Sequence, residues 1–552
     1  MNNNNADLVV GVDVGTGSAR AGVFDLHGNM LATASHPIKM WKELGDRFEQ
    51  SSVDIWNAVC HSVRNAVKLA EIKPSRIAGV GFDATCSLVL IRADGDGVAA
   101  GESNSPERNV IVWMDQRAKP EATSINKIQH DVLKYVGGKI SPEMQIPKLL
   151  WLHKNLRESF DAVEHFFDLS DFLTWRATGD VTRSSCTLTC KWTYLAHEQR
   201  FDGSFFREIG LEVLEAESFK RIGTNVVTPG TPIAKGLSAK AATELGLLPG
   251  TAVAASLIDA HAGGVGSLAA DHSELAYIFG TSACMMASSQ EPKFVPGVWG
   301  PYFNAMLSGF WLLEGGQSAA GSAIDHVLKM HPAYGKACEH AEAKSESVIE
   351  WIETQITARK KSFADLTLEV ADLHIVPDFL GNRSPHADPE ASAIISGLRF
   401  QDSVESLQHF YVAAVLGVAY GAKQTIDVLQ SHGVDVKSLV ISGGAGKSAL
   451  VRQLIADATG LTVRSPACEE PVLLGSAILA AIASEKYASM KDAIASMSKT
   501  GLLNKPSIDE QLNPHSHKYS AFRLLQQTDR RIGTFENHKS SWAQKIDAFQ
   551  DR

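Results

Sequence analysis

The residues best suited to chemistry at the start of the chain are an acid and a glycine-rich turn. Asp13 lies in an apolar run over 8–14, and a second apolar run follows over 19–24. Such runs predict the two strands of a hairpin. The turn between them consists of Gly15, Thr16, Gly17 and Ser18. Glycines permit positive φ and let backbone N–H groups approach an anion. A metal–nucleotide complex would suit the buried Asp13 carboxylate, although an ordinary hairpin has the same pattern.

A similar arrangement occurs again near the middle of the chain. An apolar run over 275–279 leads into Gly280, Thr281 and Ser282, and a further apolar run follows over 283–287. Two such hairpins suggest two related domains that face one nucleotide. The pattern differs from a dinucleotide-binding fingerprint, because the glycine turn leads into a strand and not into a helix.

Asp259 is the candidate general base. It follows a strand-like run over 252–258 and precedes small residues that leave room for a substrate near the backbone. A carboxylate there could accept a proton from a substrate hydroxyl. The alternative is that Asp259 caps a helix beginning at about Ala260, since Asp is a favoured N-cap.

A third glycine turn connects a predicted strand over 438–441 to a predicted helix over 449–459. It resembles a P-loop because Lys447 and Ser448 follow, but Ile441 stands where the first glycine of that motif belongs. Gly443 and Gly444 could instead let a purine or a ribose lie against the backbone. A tight strand–helix turn is the alternative.

Several polar side chains interrupt apolar sequence elsewhere. Asp83 ends an apolar strand over 77–82, Lys191 precedes Trp192, and Glu314 stands where a predicted strand gives way to a glycine turn. A polyol substrate needs fixed hydrogen-bonding and charged groups of this kind. Taken singly, each residue is more often a salt-bridge partner or a helix cap.

Composition excludes several classes of protein. The chain has 552 residues and a formal net charge of −10, which argues against a nucleic-acid partner because phosphate contacts need a basic surface. Its seven cysteines include no C-x-x-C pair and are interpreted as reduced thiols of a cytoplasmic protein. The first residues lack the pattern of a signal peptide, and no apolar run of membrane-spanning length is found.

The order of predicted elements gives a domain plan. Residues 1–5 are predicted to be disordered. Residues 6–268 and 269–485 each alternate strands and helices, and residues 486–552 form a helical C-terminal extension. A helix is predicted over Ser52–Leu69 with Ser52 as its cap. The segment 292–301 is predicted to be a surface loop. Tyr519, Phe522 and Leu525 recur at helical spacing, so the extension is expected to pack back on the body.

Five motifs in this order resemble those of the FGGY carbohydrate kinases. Asp13 with Gly15, Thr16 and Gly17 is similar to the first phosphate motif of that family, and Gly280 to Ser282 to the second. Gly443 and Gly444 resemble its adenosine motif, Asp259 matches its catalytic base, and Gly397 with the helix at 408–421 resembles its C-terminal signature. The resemblance implies an α/β fold with two actin-like, ribonuclease H-like domains around a central cleft. It also implies that ATP and Mg²⁺ bind, with Asp13 as the metal ligand and Arg20 and Lys447 at the nucleotide.

Within that family the chain is most similar to ribulokinases and related pentulose kinases. Lys191 and Glu314 resemble positions that contact the ketopentose, and Asp83, Ala84 and Thr85 fall at an equivalent strand end. The segment at 84–87 lacks the Arg-Glu pair of glycerol kinases and the Gln-Met-His of xylulokinases. The resemblance therefore implies transfer of a phosphoryl group from ATP to D-ribulose, giving D-ribulose 5-phosphate. An L-ribulokinase, a xylulokinase or another polyol kinase is the alternative.

Two hypotheses from other classes remain at this point. The phosphate hairpins alone also fit an actin-like ATPase that acts as a chaperone or filament subunit, and a catalytically silent sugar sensor is a third reading. Asp259 with Lys191 and Glu314 favours the kinase, because a filament protein needs no sugar pocket. The expected partner is a small sugar, with no nucleic acid and no membrane, and a homodimer is left open.

Overall fold

A computed structural model describes residues 6–267, 272–359, 361–507 and 514–550, with side chains up to residue 533. The prediction of disorder for residues 1–5 lies outside the described residues. Within the described part, two large mixed sheets dominate, one in each half of the chain.

The strands of the first half are β1 Leu8–Val14, β2 Ser18–Asp25, β3 Met30–Pro37, β4 Met40–Glu43, β5 Arg47–Gln50, β6 Ile77–Ala84, β7 Leu88–Ile91, β8 Val110–Ile111, β9 His165–Asp168, β10 Arg183–Ser184, β11 Val226–Val227, β12 Ala252–Val253 and β13 Leu257–Ile258. Those of the second half are β14 Glu274–Phe279, β15 Ala283–Ser289, β16 Trp299–Phe303, β17 Trp311–Gln317, β18 His374–Val376, β19 Ile394–Ser396, β20 Ser438–Ser442, β21 Thr462–Pro466 and β22 Thr500–Asn504.

The α-helices of the first half are α1 Ser52–Leu69, α2 Lys119–Ile125, α3 Gln145–Asn155, α4 Arg157–Ala162, α5 Leu169–Thr178, α6 Ser185–Lys191, α7 Gly203–Ile209, α8 Glu212–Ala216, α9 Ala239–Leu245 and α10 Asp259–Ser267. Those of the second half are α11 Gly321–Lys329, α12 Tyr334–Glu342, α13 Val348–Ala358, α14 Phe363–Glu369, α15 Val404–Ser431, α16 Ala449–Thr459, α17 Pro471–Ala483, α18 Met490–Met497 and α19 Pro514–Gln550.

The two large sheets have the same topology. In the first, β3, β2 and β1 form an antiparallel meander, and β6 and then β12 continue parallel to β1. In the second, β17, β15 and β14 form the meander, and β20 and then β21 continue parallel to β14. The two predicted hairpins are therefore confirmed, and each stands at the centre of its sheet. Parallel neighbours place the ends of β1 and β6, and of β14 and β20, at one edge of each sheet.

The halves are joined by helix α17, which packs on the sheet of the first half and against α10. A Cβ built on Gly475 would lie 1.9 Å from the Ala262 carbonyl oxygen, and one on Gly266 would lie 1.9 Å from that of Pro471. These glycines therefore allow α10 and α17 to approach backbone to backbone. Since Asp259 opens α10, this contact ties the candidate base to both halves.

Helix α15 is long and apolar enough to cross a membrane by length and composition, and it is the one described helix that meets this test. Within its most apolar window, 83% of the residues are buried inside the protein. Its side chains, among them Val415, Leu416 and Ala419, belong to the core of the second half. Packing within the fold accounts for its apolar composition.

Four local predictions are wrong. Helix α1 is capped by Ser51, whose hydroxyl accepts from the Asp54 N–H at 3.3 Å, and not by Ser52. Glu314 lies within β17, which continues through the two following glycines. The predicted loop over 292–301 ends in strand β16. The extension after residue 485 is not only helical, because β22 pairs with β21 and widens the second sheet. In the last two cases pairing with a distant strand overrides the local sequence.

Candidate active site

Three aspartates meet where strands of the first sheet end. Asp13 pairs in register with Asp83 across β1 and β6, and Asp83 pairs with Leu257, two residues before Asp259. The Ser476 hydroxyl donates to Asp83 Oδ2 at 2.6 Å. Burial, and then the charge of Asp13, raise the pKa of Asp83 well above its ordinary value. Both effects favour the protonated form of the Asp83 carboxyl group.

Asp259 is the first residue of α10, and its carboxylate accepts from the backbone N–H of Ala260 at 2.7 Å. That bond is to the next residue and not to the second or third N–H of the helix, as an N-cap would make. Burial, and then the charge of Asp13, raise the pKa of Asp259 to about 6. A carboxylate with this pKa is still ionised at neutral pH and is basic enough to accept a proton.

Arg20 neutralises part of this negative charge. Its Nε donates to Asp13 Oδ2 at 2.9 Å, and its Nη1 donates to Glu470 Oε2 at 2.6 Å. Glu470 directly precedes α17. The structure therefore gives Arg20 two carboxylate partners, one from each half of the chain.

The two hairpin turns have matching backbone geometry. The Gly15 N–H donates to the Ser18 carbonyl at 3.0 Å, and the Gly280 N–H donates to the Ser282 carbonyl at 2.9 Å. None of Gly15, Gly17 and Gly280 has a positive φ. A Cβ on Gly17 would meet no atom within 4 Å, and one on Gly280 would meet only an oxygen at 3.7 Å. The glycines thus leave the outer faces of both turns open.

Both turns are held rigidly by their neighbours. Trp113 Nε1 donates to the Thr16 hydroxyl at 3.0 Å, and Gln50 Nε2 donates to the Thr16 carbonyl at 2.7 Å. The Thr281 carbonyl accepts from the Ala320 N–H at 3.0 Å, at the start of α11. Such anchoring preorganises a turn for an anion.

The third glycine turn lies beside the second. Gly443 has φ +89°, and a Cβ there would lie 2.4 Å from the Phe279 carbonyl oxygen. A Cβ on Gly444 would meet nothing within 4 Å. Lys447 is exposed, and Ser448 caps α16 by accepting from the Val451 N–H at 3.1 Å. The positive φ and the close contact with Phe279 thus require glycine at position 443. Position 444 has open space in front of its backbone.

Ala84 and Thr85 lie at the same edge as the three aspartates. Ala84 ends β6 and pairs with Val14, and the Thr85 N–H donates to the Val14 carbonyl at 3.0 Å. The Thr85 hydroxyl is 3.2 Å from that of Ser87. This loop therefore adjoins the first phosphate turn.

Lys191 and Glu314 come together from opposite halves of the chain. Lys191 ends α6 and is buried, with its Nζ 5.0 Å from the centroid of the Trp299 ring. Glu314 is buried and accepts from Arg383 Nη2 at 2.6 Å. Burial acts against ionisation, but Lys191, His261 and Arg383 hold the pKa of Glu314 below its ordinary value. Lys191 and Arg383 both lie against the Trp299 ring, so Lys191 and Glu314 belong to one cluster, and their contact with a sugar stays a prediction.

Buried polar atoms in this corner have no hydrogen-bond partner among the described residues. They are Asp83 Oδ1, Tyr302 Oη, Glu314 Oε2 and Arg383 Nε. Buried polar groups are nearly always paired, so such a concentration calls for an explanation. A ligand that carries several hydroxyl groups would satisfy donors and acceptors together.

Three residues of this corner were not predicted from sequence. Arg383 was not selected as a candidate, and Trp299 and Tyr302 lie in or beside the segment 292–301 that was predicted to be a loop. Arg383 stacks on Trp299, with Cζ 4.2 Å from the ring centroid. These three residues are brought together by contacts between segments that are separate in the chain. A single sequence does not reveal such contacts.

The aspartate cluster fits a hard cation. Oxygen ligands are those that Mg²⁺ prefers, and Asp13, Asp83 and Asp259 supply carboxyl oxygens, one of them without a partner among the described residues. Asp13 is the charged member nearest the first phosphate turn.

Comparison with known proteins agrees with this site. Residues 8–266 match the model for the N-terminal domain of the FGGY family of carbohydrate kinases, and residues 275–484 match that for its C-terminal domain. The chain is 45% identical over 530 residues to a human FGGY carbohydrate kinase domain-containing protein, covering 94% of this chain and 95% of the other. It is 37% identical over 565 residues to a D-ribulokinase of Saccharomyces cerevisiae, covering 95% and 78%.

A solved xylulose kinase from Rhodospirillum rubrum superposes with a TM-score of 0.78 at 19% identity, covering 95% of this chain and 99% of the other. This likeness confirms the predicted fold of two actin-like, ribonuclease H-like domains around a central cleft. The two family models, which together cover most of the chain, show a carbohydrate kinase. The chain belongs to the FGGY family of carbohydrate kinases, and it is an enzyme that transfers a phosphoryl group from ATP to a sugar.

Proposed function

We propose that the acceptor is a ketopentose, D-ribulose, and that the product is D-ribulose 5-phosphate. The observation that carries a polyol substrate is the group of buried polar atoms on Asp83, Tyr302 and Arg383 that have no hydrogen-bond partner among the described residues. They lie beside Glu314, whose Oε2 has only His261 Nε2 at 3.5 Å. The choice of D-ribulose rests on the 37% identity to a D-ribulokinase over most of the chain. An L-ribulokinase, a xylulokinase or another polyol kinase is the alternative.

Asp259 is proposed as the general base. Its pKa of about 6 supports this role, because the group is ionised at neutral pH and gains basicity from the charge of Asp13. Asp259 would accept the proton of the sugar hydroxyl as that oxygen attacks the γ-phosphorus. Lys191, Glu314 and Arg383 would hold the other hydroxyls, so that the attacking oxygen is aligned.

The nucleotide is assigned to the three glycine turns. The open faces of the turns at Gly15–Ser18 and Gly280–Ser282 would bind phosphate oxygens through backbone N–H groups and the threonine hydroxyls. The open surface of Gly444 would take the adenosine, with Gly443 and Lys447 beside it. Arg20, which bridges two carboxylates, supports the first turn and keeps the charge of Asp13 in balance.

Mg²⁺ is assigned to Asp13, with the carboxyl groups of Asp83 and Asp259 close by. When bound, this ion would neutralise charge on the phosphate oxygens. Seven free cysteines, three of them only partly buried, support a reducing compartment such as the cytoplasm.

A substrate screen tests the assignment. Purified protein is assayed with D-ribulose, L-ribulose, D-xylulose and glycerol at equal concentrations, with ADP release as the readout. D-Ribulose should give the highest kcat/KM, and sugars that leave a buried group unpaired should be much poorer. A higher kcat/KM for glycerol or D-xylulose would reject the D-ribulokinase assignment and leave family membership untouched.

A further inference from the structure

Sulfur and nitrogen donors form a compact group behind the proposed sugar pocket. Cys186 and Cys190 lie one turn apart on α6, His261 lies on α10, and all three side chains are buried. Cys186 Sγ is 3.0 Å from His261 Nδ1, and the two sulfurs and this nitrogen lie within 4.8 Å of one another. Two thiols and an imidazole are the protein ligands of a zinc site with an open fourth position.

The second nitrogen of His261 supplies an independent observation. His261 Nε2 is 3.5 Å from Glu314 Oε2. Metal-binding histidines almost always direct their other ring N–H to a carboxylate or carbonyl, which fixes the tautomer and orients the ring. Here that arrangement turns the Nδ1 atom toward the two sulfurs.

The surroundings of Cys186 favour its thiolate, which is the form that binds metals. The backbone N–H of Ile258 donates to Cys186 Sγ at 3.4 Å. This N–H bond and the His261 ring on the other side of the sulfur both suit a negative charge on Cys186 Sγ.

We propose that Cys186, Cys190 and His261 bind one Zn²⁺ ion at the back of the sugar pocket. On binding, two protons go to solvent, so that Cys186 and Cys190 bind as thiolates and His261 binds through an unprotonated Nδ1. Zn–S and Zn–N bonds of about 2.3 and 2.0 Å in a tetrahedron set sulfur and nitrogen about 3.5 Å apart. The pair at 3.0 Å would separate by roughly half an ångström, which a change of side-chain torsion supplies.

Zinc at this position would fix the positions of residues that line the proposed sugar pocket. This consequence rests on the proposed function. Lys191 directly follows Cys190, Asp259 precedes His261 by two residues, and Glu314 faces the His261 ring. The ion would tie α6 to α10 and hold Glu314 through the His261 N–H. We therefore expect loss of zinc to raise the KM for the sugar more than the KM for ATP.

The first test measures metal content and does not depend on activity. Full-length protein is produced in medium with Zn²⁺ or with Co²⁺ and is purified without chelators. About one zinc per chain is expected by elemental mass spectrometry, and the cobalt form should show thiolate-to-cobalt charge transfer and the visible bands of a tetrahedral ion. Cys186→Ala and Cys190→Ala should each lower occupancy at least tenfold, and Glu314→Gln should weaken affinity about 10- to 100-fold.

Cys60→Ala is the matched control, because Cys60 is a buried thiol on α1 that belongs to no such donor group among the described residues. It should keep the zinc content of the wild type. Wild-type protein free of zinc and without cobalt–thiolate bands would overturn the proposal, whether or not the cysteine variants fold. A Cys186–Cys190 disulfide, seen as a mass two units lower, would also overturn it. Neither result would affect the kinase assignment.

Discussion

Asp83 and Asp259 show how two carboxyl groups in one cluster acquire different roles. Both are close to Asp13, whose charge raises the pKa of each. Asp83 is inside a strand and accepts from Ser476, whereas Asp259 stands at a helix start beside the sugar pocket. Divergent environments of this kind raise the pKa of Asp83 well above its ordinary value and that of Asp259 only to about 6, so that Asp259 is the better candidate for a base ionised at neutral pH.

The two aspartates should therefore respond differently to the same substitution. Asp259→Asn should lower kcat by roughly 100-fold or more, the scale of general-base removal, without loss of sugar binding. Asp83→Asn keeps the hydrogen-bonding shape of a protonated acid and should retain most of the turnover. Steady-state kinetics measures kcat in both variants, and calorimetry measures their binding of the sugar. Equal losses in the two variants would contradict the assignment of the base.

The pH dependence follows from the same pKa. Asp259 with a pKa of about 6 is ionised above that pH and takes a proton below it. In the wild type, kcat/KM should therefore fall as the pH drops through about 6, while Glu314, whose pKa is lowered, stays ionised. A rate profile from pH 5 to 8, with the buffer ionic strength held constant, measures this. A flat profile through pH 6 would contradict proton transfer to Asp259.

Arg383 should act on the sugar and not on the nucleotide. It donates to Glu314 and stacks on Trp299, so Arg383→Met leaves the Glu314 carboxylate buried with one partner fewer. A loss of about 1.4–2.8 kcal/mol, expected for an unpaired buried group, corresponds to a 10- to 100-fold higher KM for D-ribulose. Lys191→Met and Glu314→Gln should behave alike, and the KM for ATP should change little. Arg399→Met, which breaks only an exposed ion pair with Asp372, is the control.

At the scale of elements, the hairpins were predictable from the sequence and their long-range partners were not. Apolar runs and glycine turns are local, so β1, β2, β14 and β15 follow from composition alone. Glu314 and Lys191 were predicted by resemblance. Their contacts with Arg383 and Trp299 depend on strand β16, and the pairing of β16 with β17 is determined by tertiary structure and not by the local sequence. The pKa of Asp259 likewise depends on the register between β1 and β6, which the sequence does not state.

Gly280→Ala should separate nucleotide binding from folding. The added Cβ meets only the Ser282 oxygen at 3.7 Å and φ is not positive, so the turn tolerates alanine. The methyl group would nonetheless project onto the face proposed for the phosphates. We expect an unchanged Tm and a KM for ATP at least several-fold higher. Gly335→Ala, on α12, where a Cβ would meet nothing within 4 Å, controls for the substitution itself. Normal nucleotide binding by calorimetry would make the turn purely structural.

Helix α19 packs back on the second half, as predicted, and holds the segment that carries Arg383. Phe522 is buried, Gln526 Nε2 donates to Asp378 Oδ2 at 3.1 Å, and Arg530 Nη1 lies 3.1 Å from His386 Nδ1. Asn382, next to Arg383, also donates to Asp378, at 3.2 Å. The helix thus fixes both ends of the loop that reaches the sugar pocket.

The double variant Gln526→Ala, Arg530→Ala should therefore raise the KM for D-ribulose several-fold and leave the KM for ATP unchanged. Both side chains are expected to act through Arg383. When Arg383→Met is added to the double variant, the KM for D-ribulose should therefore rise by less than the product of the two separate fold-changes. Gln527→Ala, exposed on the same helix, is the control. Fully independent effects would mean that α19 serves stability alone.

At the scale of the whole molecule, both substrates are expected to bridge the two halves. The proposed sugar pocket combines Asp259 and Lys191 of the first half with Glu314 and Arg383 of the second, and the two turns proposed to bind phosphate come one from each half. The halves meet through the close crossing of α10 and α17, which pack backbone on backbone. Closure about this contact would exclude water from the phosphoryl transfer.

Sugar and nucleotide should then favour the same closed arrangement, and each should strengthen the binding of the other by the same factor. We expect the Kd for D-ribulose to fall several-fold when a non-hydrolysable ATP analogue is present, and the Kd for the analogue to fall equally with the sugar. Small-angle scattering should show a smaller radius of gyration with both ligands than with either one. The Asp259→Asn variant, which lacks only the base, should keep this coupling and allows the measurement with ATP itself. Independent binding, with no compaction by the pair, would mean that the two halves form a single rigid body.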